Sequence, residues 1–440
     1  MNRQTRRRTG VPRLSLRVAG LTIQVVGALV MATQVAGATF SWEQWPSRTR
    51  AAAFDPNALP GDRQLFLPRA EPFWLPGIQE RWRLDRQADF GFGVGGSVNR
   101  VDGASVLSRQ AILNDHPWRP SLDFYQGYGF GSERWSGAAE VRLHPGHQAW
   151  VVGGRWADET CAWFLPRTAI TPEESVLGAS VLREDFSDYL RRRGYQGFLR
   201  WAPGYDRGLQ LTWAEENQES VERSVARYGP FGGNKRFRGN PEIESGDWST
   251  LSVRAAWSEA PRRLQESTPL RSLFVETQWG GGVLGDGRAF TRVWAEHRGS
   301  AYLSPSQSIG YRVGGGFAPV GIVDSTGSRL PTQWQFQAGG VGSLRGHKFR
   351  EFVGDRTVLG TVEYQIDPAD GFQTSLFIDT GLAWNESAAE GGGIGGSGPL
   401  ALDGGIGLTL GTQGLRIDVA RDLRKERAPA RITARLSLPY

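Results

Sequence analysis

Among the residues able to do chemistry, Arg345, Glu363 and Asp379 carry the clearest signal, and they offer charge pairing rather than bond making. A guanidinium in a partly dehydrated interior is costly unless it is paired, and two carboxylates on adjacent walls can clamp it through charge-assisted hydrogen bonds. Arg345 lies in Leu344-Arg345-Gly346-His347, within a glycine-rich stretch from Gly339 that runs on to Phe352-Val353-Gly354-Asp355-Arg356. Glu363 follows in Val362-Glu363-Tyr364-Gln365-Ile366, and Asp379 in Phe377-Ile378-Asp379-Thr380-Gly381. Competing chemistries lack their constellations. The histidines are His116, His144, His147, His297 and His347, and no H-E-x-x-H or G-x-S-x-G occurs. His144 and His147 flank a Pro-Gly pair and read as a solvated turn rather than a metal pair. The lone Cys161 excludes an internal disulfide and a cysteine-cluster metal site. Gly391–Gly398 has no following Lys-Ser/Thr, so a phosphate loop is excluded there. The chain is expected to hold no catalytic residue, no metal and no cofactor, and Asp185, Asp188, Glu215 and Glu216 read as lumen or loop charges.

The elements that must position these residues are short strands of alternating polarity, beginning near residue 88. Leu251, Val253, Ala255 and Trp257 alternate with Ser252, Arg254 and Ala256. Leu273, Val275, Thr277 and Trp279 alternate with Glu276 and Gln278, and Ile309, Tyr311 and Val313 with Gly310, Arg312 and Gly314. Leu415, Ile417 and Val419 alternate with Arg416, Asp418 and Ala420. The same phase puts Glu363 on a face with Thr361 and Gln365, opposite Val362, Tyr364 and Ile366. It puts Asp379 with Phe377 and Gly381, opposite Leu376, Ile378 and Leu382. Alternation of this kind fits a water-soluble sandwich and a membrane barrel equally, the two differing in which face meets water. Connection lengths also alternate. Short turns fall at Pro145-Gly146-His147, Pro203-Gly204-Tyr205, Pro305-Ser306, Asp367-Pro368-Ala369-Asp370 and Thr412-Gln413, and long connections at 159–190, 218–246, 318–353 and 385–400. Short turns at one end and long loops at the other are the outer-membrane pattern. Thr171-Pro172-Glu173-Glu174 has the form of a helix start and predicts a short helix in the third external loop, the connection 159–190.

The motifs around Arg345, Glu363 and Asp379, in that order, resemble the barrel of the BamA/TamA-like outer-membrane assembly superfamily, also called the bacterial surface antigen family. In that family a long external loop folds back into the barrel and carries a V-R-G-F/Y tip; here the tip reads Leu344-Arg345-Gly346-His347. The family's tip arginine meets one acid in a V-E-Y-R type strand and one in an F-x-D-x-G strand, which match Glu363 and Asp379, with Phe377 and Gly381 completing the wall motif. Asn99-Arg100-Val101-Asp102-Gly103 is similar to the N-R-V-E/D-G start of many such barrels. The resemblance covers roughly residues 88–440. It implies an all-β transmembrane antiparallel barrel with a long in-folded sixth external loop; counting strands between the turns gives about 16, with 11 before residues 318–353, which places that stretch as the sixth external loop.

Length and composition agree with one large β domain. The chain has 440 residues with Gly 59 and Trp 17, and its mean hydropathy is −0.39. Beyond the N-terminus no apolar run is long enough for a spanning helix. The net charge of +6 rests on arginine, the only lysines being Lys235, Lys348 and Lys425. Much of the excess sits at Arg3, Arg6, Arg7, Arg8, Arg13 and Arg17, ahead of an uncharged run from Val18 to Val35 and then Ala36-Gly37-Ala38. That order reads as a signal peptide over 1–38, so the basic balance does not imply nucleic acid. The Arg6-Arg7 pair leaves twin-arginine export open. Residues 39–87, broken by Pro46, Pro56, Pro60, Pro68, Pro72 and Pro76, read as an irregular periplasmic linker or plug, too short for the family's usual POTRA domains. Residues 88–440 are the barrel, ending in Ile432, Ala434, Leu436, Leu438 and Tyr440 on one face, a pattern like the targeting signal of barrel proteins. The resemblance implies insertion or translocation of unfolded outer-membrane or secreted proteins in the bacterial outer membrane, with its lipid as a partner and no periplasmic partner identified. The alternative is a plugged channel or structural barrel without assembly activity.

Overall fold

The computed structural model describes residues 75–83 and 88–436, apart from 115–117, 146–148, 164–174, 177, 204–206, 228–233, 259–270, 286–287, 305, 325–326, 370–371, 387–398 and 411–414. The chain divides into two compact units, Met1–Asp55 and Pro56–Tyr440. The first, with the expected signal peptide, lies outside the described residues, as do most of the 39–87 stretch, the Thr171–Glu174 helix start, Leu438 and Tyr440.

The second unit is built from strands. They are β1 (Leu75–Arg83), β2 (Ala88–Asn99), β3 (Gly103–Asn114), β4 (Ser121–Gly129), β5 (Arg134–Leu143), β6 (Trp150–Ala162), β7 (Tyr189–Trp201), β8 (Arg207–Ser220), β9 (Gly246–Ser258) and β10 (Arg271–Gly280). There follow β11 (Phe290–Ser304), β12 (Gln307–Gly321), β13 (Phe336–Ala338), β14 (Phe352–Gly354), β15 (Arg356–Ala369), β16 (Phe372–Trp384), β17 (Ala401–Leu410), β18 (Leu415–Asp422) and β19 (Arg431–Leu436). Each strand of the main sheet pairs antiparallel with its neighbour in chain order, and β12 pairs with β15 across the inserted β13–β14 pair. The main sheet has 17 strands, β1 and a further sixteen from Ala88 onward.

The sheet sorts its faces in the sense expected of a membrane barrel. Leu376 and Ile378 are exposed on β16, while Ser375, Phe377 and Asp379 beside them are buried. On β12 Ile309, Tyr311 and Val313 are exposed, and on β18 Val419 is exposed while Arg416 and Asp418 are buried. An apolar exposed face and a charged buried face reverse the order of a soluble sandwich. Leu382, expected on the lipid face, is buried, close to where Gly354 of β14 crowds the Trp384 backbone of β16. The long connections 163–188, 221–245, 322–355 and 385–400 share one end of the sheet. Residues 259–270, between β9 and β10, are a long exception at the other end. A helical turn, Gly178–Leu182, lies in the first of these, the connection between β6 and β7.

Residues 75–83, expected to be irregular, form β1, which runs along β2 from Leu75↔Gly96 to Arg83↔Asp89 with an irregularity between Pro76 and Ile78. Proline is tolerated at the start of an edge strand because no ladder hydrogen bond is needed from its nitrogen there. The prolines before it therefore did not preclude a strand after Pro76.

The exposed face yields a direct test. Ile378→Arg should lower the unfolding free energy in lipid vesicles by about 2–4 kcal/mol if Ile378 lies near the bilayer midplane. An unfolding midpoint unchanged from wild type would mean that this face meets water.

Candidate functional site

The loop between β12 and β15, residues 322–355, is the element that builds the site. Its base is apolar. Leu330, Trp334 and Phe336 join Trp248, Phe290 and Trp294 from the inner faces of β9 and β11 in one buried cluster. The Trp334 ring stands 4.6 Å from that of Trp248 and 4.7 Å from that of Phe290. Phe336 lies over Trp294 at 6.0 Å, in space left by Gly316, where a Cβ would meet both rings. β13 and β14 then close on each other, Phe336↔Gly354 to Ala338↔Phe352, and hold the tip between them. One loop thus touches the inner faces of β9 and β11 at its base and of β15 to β18 at its tip, so the wall curves around it.

The tip meets a row of carboxylates. Asp379, Asp403 and Asp422 stand directly opposite one another across β16, β17 and β18. All three are buried. Like charges in register repel, and the tip lies across the row. Arg345 takes Asp379 in a two-pronged pair, Nε to Oδ2 at 2.7 Å and Nη2 to Oδ1 at 2.8 Å. The Arg345 backbone N–H donates to Asp379 Oδ2 at 3.3 Å, and Thr361 Oγ1 donates to Oδ1 at 3.0 Å. The guanidinium carbon lies over the Phe377 ring, 3.2 Å from its centroid, a cation–π contact on the lumenal face of the same strand. The Gly346 N–H donates to Asp403 Oδ2 at 2.6 Å. His347 faces Asp403 and Asp422 from its two ring nitrogens, at 2.9 Å and 3.6 Å. Leu344 is fully buried beside the apolar base.

Glu363 completes the tip, though its main partner is one that sequence reasoning missed. It accepts from Arg416 of β18 through both oxygens, at 2.7 and 2.9 Å, and from Arg345 Nη1 at 3.2 Å. Arg416 also donates to Asp418 at 2.9 Å and to Ser375 at 3.1 Å. Two guanidiniums and the carboxylates of Glu363, Asp379 and Asp418 therefore form one network. The glycine matters for space. A Cβ on Gly346 would lie 2.6 Å from the Arg421 backbone and 2.7 Å from the Asp403 carboxylate. Its conformation is not among the positive-φ glycines, which are Gly339, Gly340 and Gly342 within this stretch.

A second anchor holds the other flank of the loop. Arg350 pairs with Asp188, just before β7, and its guanidinium lies 4.7 Å from the Trp163 ring centroid. Asp188 also takes Arg100 at 2.7 Å and Arg238 at 2.5 Å. Arg100, in the Asn99–Gly103 stretch singled out by resemblance, is fully buried and reaches Asp185 as well. Burial pushes the Asp188 carboxyl up, but Arg350, Arg238 and Arg100 outweigh it and hold it below the usual aspartate range. Burial prevails at Asp185, whose carboxyl is raised despite Arg100.

The structure thus brings together Leu344, Arg345, Gly346, His347, Glu363, Phe377 and Asp379, with Gly381 two residues on from Asp379 and opposite Leu359 of β15. It does not bring the C-terminal residues to this site. Ile432 is exposed on β19, the side chain of Leu436 lies outside the described residues, and so do Leu438 and Tyr440. Asp403, Arg416, Asp418 and Asp422 were not predicted as site residues. The signal that could have found them is their inward phase on β17 and β18 combined with register, and only the phase is visible in a sequence.

Comparison with known proteins adds an independent line. The sequence model of the Omp85 superfamily domain matches residues 200–436. Among solved structures, the chain is similar to BamA from Haemophilus ducreyi lacking POTRA domains 1–3, at 16% identity and a TM-score of 0.51, covering 83% of this chain and 75% of that one. CdiB from Acinetobacter baumannii matches at 15% identity and a TM-score of 0.38, over 77% of this chain and 57% of that one. CdiB from Escherichia coli matches at 13% and 0.42, over 80% and 62%. A search among curated proteins finds no match.

Two outcomes test the anchors. Arg345→Ala and Asp379→Ala should each cost roughly 3–5 kcal/mol, since each leaves its partner charged and buried. The double variant should cost less than the sum, and strict additivity of the unfolding free energies would exclude the pair as a clamp. For Asp188 the depressed carboxyl contributes stability that is full above the ordinary aspartate pKa of about 3.9 and lost as pH falls through its lower folded value. Hydrogen exchange over residues 340–352 should therefore stay slow down to about pH 4 and quicken below it. Asp188→Asn should quicken it already at neutral pH, and exchange there as slow as wild type would remove Asp188 as the second anchor.

Proposed function

The chain belongs to the Omp85 superfamily, and from that premise we propose that it works in the bacterial outer membrane, inserting or translocating unfolded protein substrates without making or breaking covalent bonds. One observation carries the reading: the tip of the 322–355 loop is clamped inside the lumen by Arg345 against Asp379 and by Gly346 against Asp403. A tip tied to β16, β17 and β18 stiffens the wall next to the C-terminal strand β19, and leaves the lumen partly filled by chain that is anchored rather than loose. A protein that handles strands of other proteins needs such a rigid wall beside an edge that can pair. The BamA likeness supports the fold of this reading and carries no residue roles with it.

The second reading, a plugged barrel without assembly activity, draws on the same loop, because its base and both anchors fill the space between opposite walls. The two readings separate in one experiment. Purified protein in vesicles of bacterial lipid is mixed with a urea-denatured outer-membrane barrel protein, and folding is followed by the heat-dependent shift of the folded substrate on a gel. The insertase reading expects folding faster than in empty vesicles, with most of the acceleration lost in Arg345→Ala. Substrate folding no faster than in empty vesicles would leave the plugged barrel as the function.

A further inference from the structure

We propose that His347, Asp403 and Asp422 form a binding site for a divalent transition-metal cation at the loop tip. One ligand atom from each lies within 4.8 Å of the others, and all three residues are buried. An imidazole nitrogen with two carboxylate oxygens is the donor set of Zn2+ and its first-row neighbours, whereas Ca2+ and Mg2+ favour oxygen alone.

A second observation points to a cation rather than to a simple ion pair. His347 Nδ1 and Asp403 Oδ1 are 2.9 Å apart. Beyond each other, neither atom has a partner among the described residues, although His347 is 6% exposed and Asp403 0%. A metal ion set between two such buried atoms takes a lone pair from each. Charge leads to the same place. In the row of three aspartates Arg345 neutralises Asp379. Asp403 receives a backbone N–H and the imidazole but no guanidinium or ammonium among the described residues. Asp422 has Lys425 at 3.2 Å, an exposed side chain at the outer rim. The row therefore carries an excess of negative charge at its outer end, where Lys425 also marks the way to solvent.

The surroundings already orient the ligands. The Gly346 N–H fixes one oxygen of Asp403, leaving the other toward His347. The Arg424 N–H donates to Asp422 Oδ1 at 2.9 Å and leaves Oδ2 toward the ring. The Phe352 ring packs 5.2 Å from the imidazole and limits its rotation. Outer partners of this kind hold metal ligands in place. The bound ion would tie the loop tip to β17 and β18 beyond the Arg345 clamp, and the site stands whether or not the chain transports protein.

The test uses untagged full-length protein in detergent, stripped with EDTA and titrated with Zn2+ by calorimetry and with Co2+ by visible absorption. The expected result is one ion per chain, a Co2+ spectrum stronger than that of the aqueous ion, and slower hydrogen exchange over residues 340–352 on loading. His347→Phe and Asp422→Asn should each weaken binding at least tenfold, and the heat-dependent gel shift of each variant reports that it is folded. The wild-type titration decides even if a variant misfolds: no binding, or a Co2+ spectrum like that of the aqueous ion, overturns the site. Binding left intact in folded His347→Phe overturns it as well, by assigning the ion to other residues.

Discussion

A charge carried into the lumen of this barrel has to meet an opposite charge there, and the inner surface is organised around that requirement. Glu159 is held by Arg155 and Arg192, Glu276 by Arg254 and Arg292, and Glu296 by Arg298 and Arg312. Asp188 gathers three arginines, and Glu363 and Asp379 share Arg345, with Arg416 also on Glu363. The requirement also accounts for the composition. A planar guanidinium serves two carboxylates at once and loses less freedom per hydrogen bond than an ammonium. A chain that buries its cations in pairs uses arginine, and the three lysines, Lys235, Lys348 and Lys425, all lie outside the strands. Such pairs add little net stability over an apolar lining, but breaking one is expensive. They therefore define where the loop lies more than how tightly the barrel folds.

The loop is held by three different kinds of contact. Its base is fixed by apolar rings against β9 and β11, its tip by charge against β15 to β18, and its far flank by Arg350 on Asp188. These contacts fail under different conditions, since salt and acid weaken charge pairs and leave packed rings in place. A loop released at the tip would remain tethered at Trp334 and Phe336, so its movement would be a hinge about β13 and β14 rather than an expulsion.

Much of this could be read from the chain, and the reasons for the rest are physical. The period of two put Glu363, Phe377 and Asp379 on inward faces, because parity along a strand is a local property. The sixteen strands after Ala88 and the long loop after the eleventh followed from the spacing of turns. Register is not local. That Asp379, Asp403 and Asp422 stand in one row depends on how β16, β17 and β18 slide past each other, and no short pattern encodes it. For the same reason Arg416 was seen as an inward residue but not as the chief partner of Glu363. That Gly346 lets the backbone approach Asp403 likewise depends on which residue stands opposite the tip. β1 was missed because proline-broken sequence around it hid a strand whose pairing is supplied by β2.

That extra strand has a consequence of parity. With sixteen antiparallel strands the two edges of a sheet run in opposite directions and can join by the same ladder used elsewhere. With β1 in place on β2 there are seventeen, and the edges formed by β1 and β19 run the same way. They could meet only through the slanted bonds of a parallel pair, which is slightly weaker per residue. β1 also occupies the side of β2 away from β3, and residues 84–87 are all that separate the two strands. A strand on so short a leash competes at an effective concentration on the order of millimolar. Any other strand that pairs with β2 must therefore displace a competitor the chain carries with it.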